Sequence, residues 1–467
     1  MNSNYRRQVV LLLAIAFTIR LAAGWVWQSN LEGRFVFGDS ESYWQLGRAI
    51  AEGRPYVYGV QNAQIFRTPG YPLLLAPIFL ATDDEFAALL LVRAEAALFG
   101  TLAVLGVWWI ASLLFDRRTA LLAALIAAFY PGAIALSVLV LSEAPFCPIM
   151  LLQLGLYILA WNAATEKAAE KSWSLARASA WAFSAGLAGG IAALMRPGWL
   201  LFTPLAAALG LFLYCTNHSH LSFRLAADGT SPDDPWHQSR RWRLNGLYVF
   251  GCMILGLGVA MAPWWIRNAR LTDRFVPTTL QVGASLYDGL NPQATGASEM
   301  SFVDRFIAEE RAESGVPPEM VSIRFEERLD RRMRDAAVTW TRENPGLAVR
   351  LAIGKFFRMW NLWPNEERMT AWPVRLGLFL TYTPLMIFAI IGAARTIGRG
   401  WTYIICWLPA AYLTALHLVF VSSIRYRMPA MLALLPLAAG EIMRLVGEAG
   451  RREIHSHGGP VPFSRER

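Results

Sequence analysis

The sequence predicts an all-α, polytopic integral membrane protein, a helical bundle of about ten spans. Of its 467 residues, 55% are hydrophobic and only 16% are charged, whereas soluble proteins average about 25% charged residues. The apolar residues fall in long runs, which is the pattern of membrane-spanning helices. Many of the 19 tryptophans stand at the ends of these runs, where interfacial aromatic belts form.

The formal net charge of +9 has no single polar domain to carry it. Binding to nucleic acid is therefore not indicated, and anionic membrane lipids or phosphorylated lipid substrates fit the charge better. The four cysteines lie within or at the ends of apolar runs and show no CxxC spacing. This spacing indicates neither a disulfide framework nor a zinc site.

Ten apolar runs are predicted to cross the membrane. The first follows a short basic N-terminus and is interrupted by Arg20, which favours an uncleaved signal anchor over a signal peptide. The runs cover about 9–27, 86–115, 119–139, 143–163, 180–195, 198–215, 246–266, 373–394, 401–421 and 428–446. The run 69–82 is short and proline-rich, and is interpreted as a juxtamembrane or re-entrant helix. If short runs also cross, the count rises to eleven to thirteen.

Basic residues in the short loops predict the orientation, with both termini in the cytoplasm. The predicted location is the inner membrane. The predicted organisation is a transmembrane module over 1–266 with a first outer loop over 28–85, an outer segment over 267–371, C-terminal spans over 372–446 and a cytoplasmic tail over 447–467. The outer segment is rich in arginine, but loops longer than about 60 residues translocate largely regardless of charge.

The polar regions carry shorter predicted elements. A helix is expected near 42–52, and the loop 216–244 is expected to be disordered. Within the outer segment an irregular start precedes helices over about 300–312 and 318–343. Asn344 and Pro345 are the cap and first residue of a further helix over 346–360. Its apolar face is typical of a helix lying in the membrane interface.

Charged residues gather at the predicted outer face. Asp39 follows the first span, and four other segments bring arginines to the same side, where short loops should be poor in them. These arginines are Arg67, Arg196, Arg267, Arg425 and Arg427. A guanidinium near the apolar core usually faces a cavity or an anion, because burying it costs about 2.5–3.5 kcal/mol on insertion scales. Guanidinium also matches phosphate in bidentate geometry.

Further polar residues lie close to these positions. Glu143 opens the fourth span and is expected to pair with one of the arginines, in a structural or a catalytic role. Arg93 and Glu95 lie inside the second span on different helix faces, so each needs its own partner. The histidines, in the 216–244 loop, the tail and one span, have no ligand spacing toward Asp39, so no metal site is predicted.

Taken in order, these motifs resemble the GT-C superfamily of membrane glycosyltransferases. The sequence is similar to the branch of protein O-mannosyltransferases and lipid A aminoarabinose transferases over about residues 9–446. The motifs are Asp39 with Tyr43, Arg67-Thr-Pro-Gly-Tyr71-Pro, Ser142-Glu143, Arg196-Pro197, Pro263-Trp-Trp-Ile-Arg267-Asn and Arg425-Tyr-Arg427. Relatives often carry a second acid directly after the aspartate, where this chain has Ser40 and then Glu41.

The resemblance implies sugar transfer from a polyprenyl-phosphate donor to a hydroxyl on a lipid, protein or polysaccharide, at the outer face of the membrane. Asp39 would act as general base or orient the acceptor. The arginines would hold the phosphate, and Glu41, Tyr43, Tyr71 and Glu143 would line the substrate site. No cofactor is required by this scheme, and the sequence leaves dependence on a divalent metal open.

Two other classes of function stay open at this stage. A transporter or lipid flippase could line a pathway with the same charges, although transporters often show matching halves with charges near mid-membrane, and this chain does not. A non-catalytic homologue could bind a polyprenyl lipid without turning it over. The intact Asp39 favours the enzyme over this second alternative.

Overall fold

The structure is a computed structural model that describes residues 3–31, 33–59, 62–165, 171–227, 235–315, 322–363, 371–398 and 401–457. These residues form α-helices joined by turns and short 3-10 segments. They contain no β-strand, only one isolated bridge between Tyr58 and Ala63. The prediction of an all-α polytopic protein is confirmed.

The first half of the described chain holds ten helices. They are α1 (Ser3–Ser29), α2 (Gly38–Ala51), α3 (Gly70–Ala81), α4 (Glu85–Leu114), α5 (Arg117–Phe129), α6 (Pro131–Val138), α7 (Glu143–Thr165), α8 (Lys171–Met195), α9 (Phe202–Ala227) and α10 (Pro235–Thr272). The backbones of α9 and α10 extend well into the loop expected to be disordered over 216–244, and residues 228–234 of that loop lie outside the described residues.

The second half begins with four helices of the predicted outer segment and ends with three apolar ones. They are α11 (Val282–Gly289), α12 (Phe302–Ser314), α13 (Ile323–Glu343), α14 (Pro345–Met359), α15 (Trp372–Thr396), α16 (Ile404–Val419) and α17 (Met428–His457). The predicted start of the 318–343 helix falls partly outside the described residues. The helix α11 lies where an irregular chain was expected.

All ten predicted spans are helical in the structure. Within the described chain, eight helices are long and apolar enough to cross a membrane: α1, α4, α7, α8, α9, α10, α15 and α17. The span predicted over 119–139 is a pair of helices, α5 and α6, bent by 53° at Pro131. The span predicted over 401–421 is α16, which has 16 residues, and α3 has 12; both are short for a span of about 20 residues.

Two buried arginines explain how the break between α5 and α6 is tolerated inside the bundle. Pro131 offers no backbone N–H, and the helix ends leave carbonyls without partners. Arg20 donates hydrogen bonds to the carbonyls of Ala127 and Ala128 at 2.9 and 3.0 Å, and Arg93 donates to the carbonyl of Val138. The arginines within the first and second spans thus cap a broken helix.

The core lies around α7. In its apolar 18-residue stretch 78% of the residues are buried, compared with 17% in that of α15 at the edge of the bundle. Close helix contacts use glycine, as is common between helices in membranes. A Cβ on Gly186 of α8 would overlap the carbonyl of Met253 in α10. The helices α11, α12 and α13 pack on a small core of their own, which includes Tyr287, Phe306 and Phe325.

Candidate active site

Asp39 lies in the first turn of α2, not in a free loop. At this position the backbone N–H groups and the helix dipole favour a negative charge. The Asp39 side chain is 35% exposed, so its carboxylate is reachable from outside the protein. Its own backbone carbonyl accepts a hydrogen bond from Ser42 Oγ at 2.7 Å, which fixes the turn.

Two arginines from distant parts of the sequence hold the carboxylate of Asp39. Arg67 Nη2 donates to Oδ1 at 2.6 Å, and Arg425 Nη2 donates to Oδ2 at 3.1 Å. Burial alone would raise the pKa of Asp39, but the two guanidinium groups outweigh it and hold this pKa below its ordinary value. Asp39 is therefore ionised at neutral pH.

A second carboxylate continues the network into the bundle. Glu143 opens α7 and its side chain is only 1% exposed. Its Oε1 accepts a hydrogen bond from Arg425 Nε and lies 2.7 Å from Arg196 Nη1. The contact with Arg196 is an ion pair outside hydrogen-bond geometry, and among the described residues nothing accepts a hydrogen bond from this buried Nη1.

These five side chains form what we call the charge-paired cluster: Asp39, Arg67, Glu143, Arg196 and Arg425. They come from the start of α2, the connection before α3, the start of α7, the end of α8 and the connection between α16 and α17. The cluster holds one more guanidinium than carboxylate, so it carries a net positive charge when all groups are ionised.

A close backbone contact brings two of these segments together. Gly70 begins α3, three residues after Arg67, and a Cβ there would lie 2.6 Å from the carbonyl of Leu194 near the end of α8. Only glycine allows this approach. The contact seats the segment that carries Arg67 beside the segment that carries Arg196.

Aromatic rings line the cluster. The guanidinium of Arg67 lies 5.3 Å from the ring of Tyr43, whose hydroxyl donates to Ser142 Oγ at 3.2 Å. Tyr71 packs edge-on against Tyr43 at 5.2 Å, and its buried hydroxyl has no hydrogen-bond partner among the described residues. Both predicted tyrosines thus stand beside the arginines.

One ring in the cluster was not singled out from the sequence. Tyr426 lies under two guanidinium groups, at 5.3 Å from Arg196 and 5.2 Å from Arg425. It also stacks on His417 at 4.2 Å. Its place between Arg425 and Arg427 in the motif was the available signal, since an aromatic face attracts a neighbouring cation.

Three predicted site residues lie in other contacts. Glu41 accepts a hydrogen bond from Gln45 on its own helix. Arg267 donates to the carbonyl of Gln64 at 3.1 Å and lies over the ring of Trp264. Arg427 is buried, donates to the carbonyls of Met359 and Asn361, and stacks on Tyr382. The structure therefore does not bring these three side chains onto Asp39.

The residues described also bear on metal ligation. No three His, Cys, Asp or Glu side chains among them converge as a metal site would require. The side chains of the loop and tail histidines lie outside the described part of the structure: His218, His220, His237, His455 and His457.

A comparison of the sequence with protein families gives one match at the N-terminal side. The family model described as dolichyl-phosphate-mannose-protein mannosyltransferase matches residues 10–227. This range contains Asp39, Arg67, Glu143 and Arg196. No curated protein matches the chain in a sequence search.

Solved structures resemble the fold over nearly all of the chain. The apo crystal structure of the oligosaccharyltransferase of Archaeoglobus fulgidus has a TM-score of 0.53 and 16% identity, over 98% of this chain and 53% of that chain. The same archaeal protein, AglB, in complex with an inhibitory peptide and a dolichol-phosphate, has a TM-score of 0.52 and 16% identity, over 99% and 53%. The chain thus spans about half the length of these archaeal structures.

A third solved structure is less similar. ArnT of Cupriavidus metallidurans bound to undecaprenyl phosphate has a TM-score of 0.37 and 15% identity, over 97% of this chain and 81% of that chain. The family match and the archaeal fold confirm the resemblance to the GT-C superfamily that the sequence motifs indicated.

Proposed function

We propose that this chain, with a mannosyltransferase family match over 10–227 and an oligosaccharyltransferase-like fold, is a membrane glycosyltransferase. It moves a sugar from a polyprenyl-phosphate donor to an acceptor hydroxyl. One observation carries this proposal: an ionised, partly exposed carboxylate is held between guanidinium groups at one end of an apolar helical bundle. Such a site offers a lipid-linked substrate a carboxylate that can act as a base and guanidinium groups that can bind its phosphate.

The reaction exchanges one bond at the anomeric carbon for another. The acceptor oxygen bonds to that carbon, the bond from the carbon to the phosphate oxygen breaks, and polyprenyl phosphate leaves. Asp39 accepts the hydrogen bond of the acceptor hydroxyl and takes its proton as the new bond forms. A carboxylate of low pKa suits a proton that moves late in an oxocarbenium-like step.

The arginines of the charge-paired cluster stabilise the leaving phosphate. Negative charge grows on the phosphate oxygen as the bond breaks, and fixed guanidinium groups are worth most at that point. The net positive charge of the cluster favours an anion there. Tyr43 and Tyr71 line the sugar or lipid path, and Glu143 holds Arg196 and Arg425 in place.

Donor binding also frees the carboxylate of Asp39 to act as the base. Arg67 and Arg425 each bond one oxygen of Asp39, so a phosphate that takes up their N–H groups releases lone pairs of that carboxylate. The freed oxygen of Asp39 can then accept the hydrogen bond of the acceptor hydroxyl.

The sugar is a hexose or a pentose, and the acceptor a hydroxyl of a protein, lipid or polysaccharide. The family description, which concerns a mannosyl donor and protein acceptors, supports a hexose and a protein as the first pair to test. We place the protein in the inner membrane with the cluster facing the periplasm or cell exterior, because the basic short loops lie at the opposite end of the spans.

The scheme requires no cofactor or resident metal. The guanidinium groups of the charge-paired cluster supply the positive charge that a metal would bring to the phosphate. Transfer is expected to proceed at an unchanged rate after treatment with EDTA. A rate restored by Mg²⁺ or Mn²⁺ after such treatment would overturn this part of the scheme.

The test of the function is transfer from polyprenyl-phosphate mannose by the purified protein in proteoliposomes. Asp39→Asn should lower turnover about 10²–10⁴-fold while donor binding persists. Asp84→Asn is the matched control, because Asp84 is an exposed carboxylate that caps α4. Full activity of Asp39→Asn would remove the proposed base.

The same proteoliposomes separate the enzyme from a transporter or flippase. Donor labelled in the sugar is followed both for transfer to an acceptor and for movement across the bilayer. Sugar transfer that depends on Asp39, without movement of the intact donor, supports the enzyme. Movement of intact donor without transfer would contradict it.

A further inference from the structure

A buried glutamate on α13 holds the chain segment that leads to Arg67. Glu326 is only 7% exposed. Its carboxylate accepts hydrogen bonds from the backbone N–H of Gln64 at 2.8 Å and of Ile65 at 3.1 Å. These residues stand three and two positions before Arg67. A buried carboxylate needs such partners, since an unpaired buried charge is very costly.

The other backbone groups of this segment are also held by the second half of the chain. Arg267 donates to the carbonyl of Gln64, and the backbone N–H of Leu280 donates to the carbonyl of Ile65 at 3.0 Å. All four backbone polar groups of Gln64 and Ile65 thus bond to residues between 267 and 326. The path of the chain into Arg67 is set from outside its own loop.

A buried lysine on α14 performs the matching task for Arg425. Lys355 is 1% exposed. Its Nζ donates to the carbonyls of Val419 at 2.6 Å and Leu418 at 3.3 Å. These are carbonyls of the last turn of α16, which lack helical partners and attract a cation. The connection that carries Arg425 begins at the next residue.

Ser422, three residues before Arg425, is fixed at each of its polar groups. Its hydroxyl donates to the carbonyl of Lys355 at 2.8 Å, and its N–H donates to the carbonyl of Gly296 at 2.9 Å. Its own carbonyl accepts from Arg358 Nε at 2.9 Å. The segment before Arg425 is therefore tied to α14 and to the chain before α12.

On the basis of the proposed function, we propose that Glu326 and Lys355 are positioning residues for sugar transfer. Each bonds the backbone beside one of the two arginines that hold Asp39. Glu326, an anion, accepts from N–H groups near Arg67, and Lys355, a cation, donates to carbonyls near Arg425. They lie on α13 and α14, helices separated only by Asn344. One helical pair thereby sets the spacing of both guanidinium groups across Asp39.

The experiment compares conservative variants of the two residues with a matched control. Glu326→Gln keeps shape but weakens the grip on two N–H groups, and Lys355→Met keeps length but loses the donor. Asp330→Asn is the control: Asp330 lies one turn along α13, is buried, and accepts a backbone N–H from Gly283 at 2.6 Å. Its partner Gly283 lies in neither of the segments that carry Arg67 and Arg425.

We expect Glu326→Gln and Lys355→Met to lower kcat about tenfold or more, since small misplacements of catalytic groups cost up to about 10²-fold. Asp330→Asn should keep the wild-type kcat, even where its melting temperature falls as much as theirs. Equal kcat losses in all three variants would reduce the effect to stability and overturn the proposal.

A double-mutant cycle tests whether each residue acts through its arginine. Arg67→Lys and Arg425→Lys serve as backgrounds that retain a charge. Glu326→Gln should lose most of its effect on kcat in the Arg67→Lys background, and Lys355→Met in the Arg425→Lys background. Additive effects would overturn the proposal.

A measurement without substrate keeps this inference separate from the proposed function. Hydrogen exchange of residues 62–68 should accelerate in Glu326→Gln, and that of 418–425 in Lys355→Met, with no change in Asp330→Asn. Unchanged exchange in both segments would overturn the positioning role. A wild-type protein without any sugar transfer would instead refute the function on which that role rests.

Discussion

Two groups of charges in this protein are stabilised in different ways, one by opposite charges and the other by the main chain. The charge-paired cluster around Asp39 joins arginines to carboxylates. The second group, the backbone-bound charges, comprises Arg20, Arg93, Arg427, Glu326 and Lys355. These bond to carbonyls or N–H groups of the main chain.

The difference separates the charges that can take part in the reaction from the charges that stabilise the fold. A charge bonded to the main chain is committed to holding that chain, because releasing it would leave buried backbone groups unpaired. A guanidinium paired with a carboxylate can exchange that partner for a phosphate of the same geometry. Of these two groups, the charge-paired cluster is therefore the one that can rearrange around a substrate without loosening the fold.

Among the arginines, the largest expected effect is that of replacing Arg425 in the charge-paired cluster. Arg425→Ala removes the residue that, in the described part of the structure, bonds both Asp39 and Glu143, and it leaves the ion pair of Glu143 with Arg196. We expect kcat/KM for the lipid donor to fall about 10²–10³-fold, measured in the proteoliposome assay. Arg425→Lys should recover part of this loss, since it restores charge without the bidentate geometry. Near-normal kcat/KM in the alanine variant would contradict the assignment of donor binding to the charge-paired cluster.

Arg427→Met should affect stability instead of donor affinity, although Arg427 stands two residues away. The change leaves the carbonyls of Met359 and Asn361 without their donor and removes the stack on Tyr382. We expect the free energy of unfolding to fall by about 2–4 kcal/mol, followed by denaturant unfolding in micelles. A rise in the donor KM beyond about threefold would move Arg427 into the substrate site.

The pH dependence of transfer should distinguish Glu326, which is bound to the main chain, from Asp39, which is paired with arginines. Burial raises the pKa of Glu326 to about 7, although the N–H groups of Gln64 and Ile65 and the charge of Arg267 lower it, and Asp330 raises it further. As the pH falls through about 7, Glu326 gains a proton and its grip on the segment weakens. The rate should fall there in the wild type and show no such step in Glu326→Gln.

Stability should not fall in that pH interval. A carboxyl whose folded pKa lies above its unfolded value binds the proton more tightly when folded, so protonation of Glu326 favours the fold as the pH drops. Asp39 has the opposite sign: its folded pKa is lowered, so its contribution is lost only at more acidic pH. A melting temperature that falls together with the rate through pH 7 would contradict this assignment.

The smallest expected effect is that of Arg267→Ala. Sequence motifs suggest Arg267 as part of the phosphate site, but its guanidinium bonds the carbonyl of Gln64 and lies over Trp264. We expect the donor KM to rise only about two- to fourfold, through the path of the chain into Arg67. Transfer rates at varied donor concentration measure this KM, with Arg67→Ala as the reference. An equal loss in both variants would place Arg267 on the phosphate.

Much of the fold follows from hydrophobic patterning. All ten predicted runs are helices, because an apolar run of about 20 residues satisfies its backbone only as a helix in lipid. The bend at Pro131 and the shortness of α16 could not be read from the same signal. The role of Arg20 shows why: an arginine in an apolar run gives no indication that it caps another helix 107 residues away.

The site was predictable where residue type limits the possible partners. Asp39, Arg67, Arg196 and Arg425 stand where polar residues are costly, so their convergence could be expected from topology. Arg267 and Arg427 carry the same signal and point elsewhere, since side-chain direction depends on packing. Glu326 and Lys355 gave no signal, because a single charge in an amphipathic helix usually faces water.

The helix α14 turns its lysine inward and its phenylalanines outward. Lys355 is 1% exposed, whereas Ile353 and Phe357 are 55% and 66% exposed. Such an apolar surface is typical of a helix at the boundary between headgroups and acyl chains, where α14 is predicted to lie. Bilayer thickness would then bear on the position of Arg425 through Lys355, and turnover should vary with acyl-chain length in vesicles of otherwise equal composition.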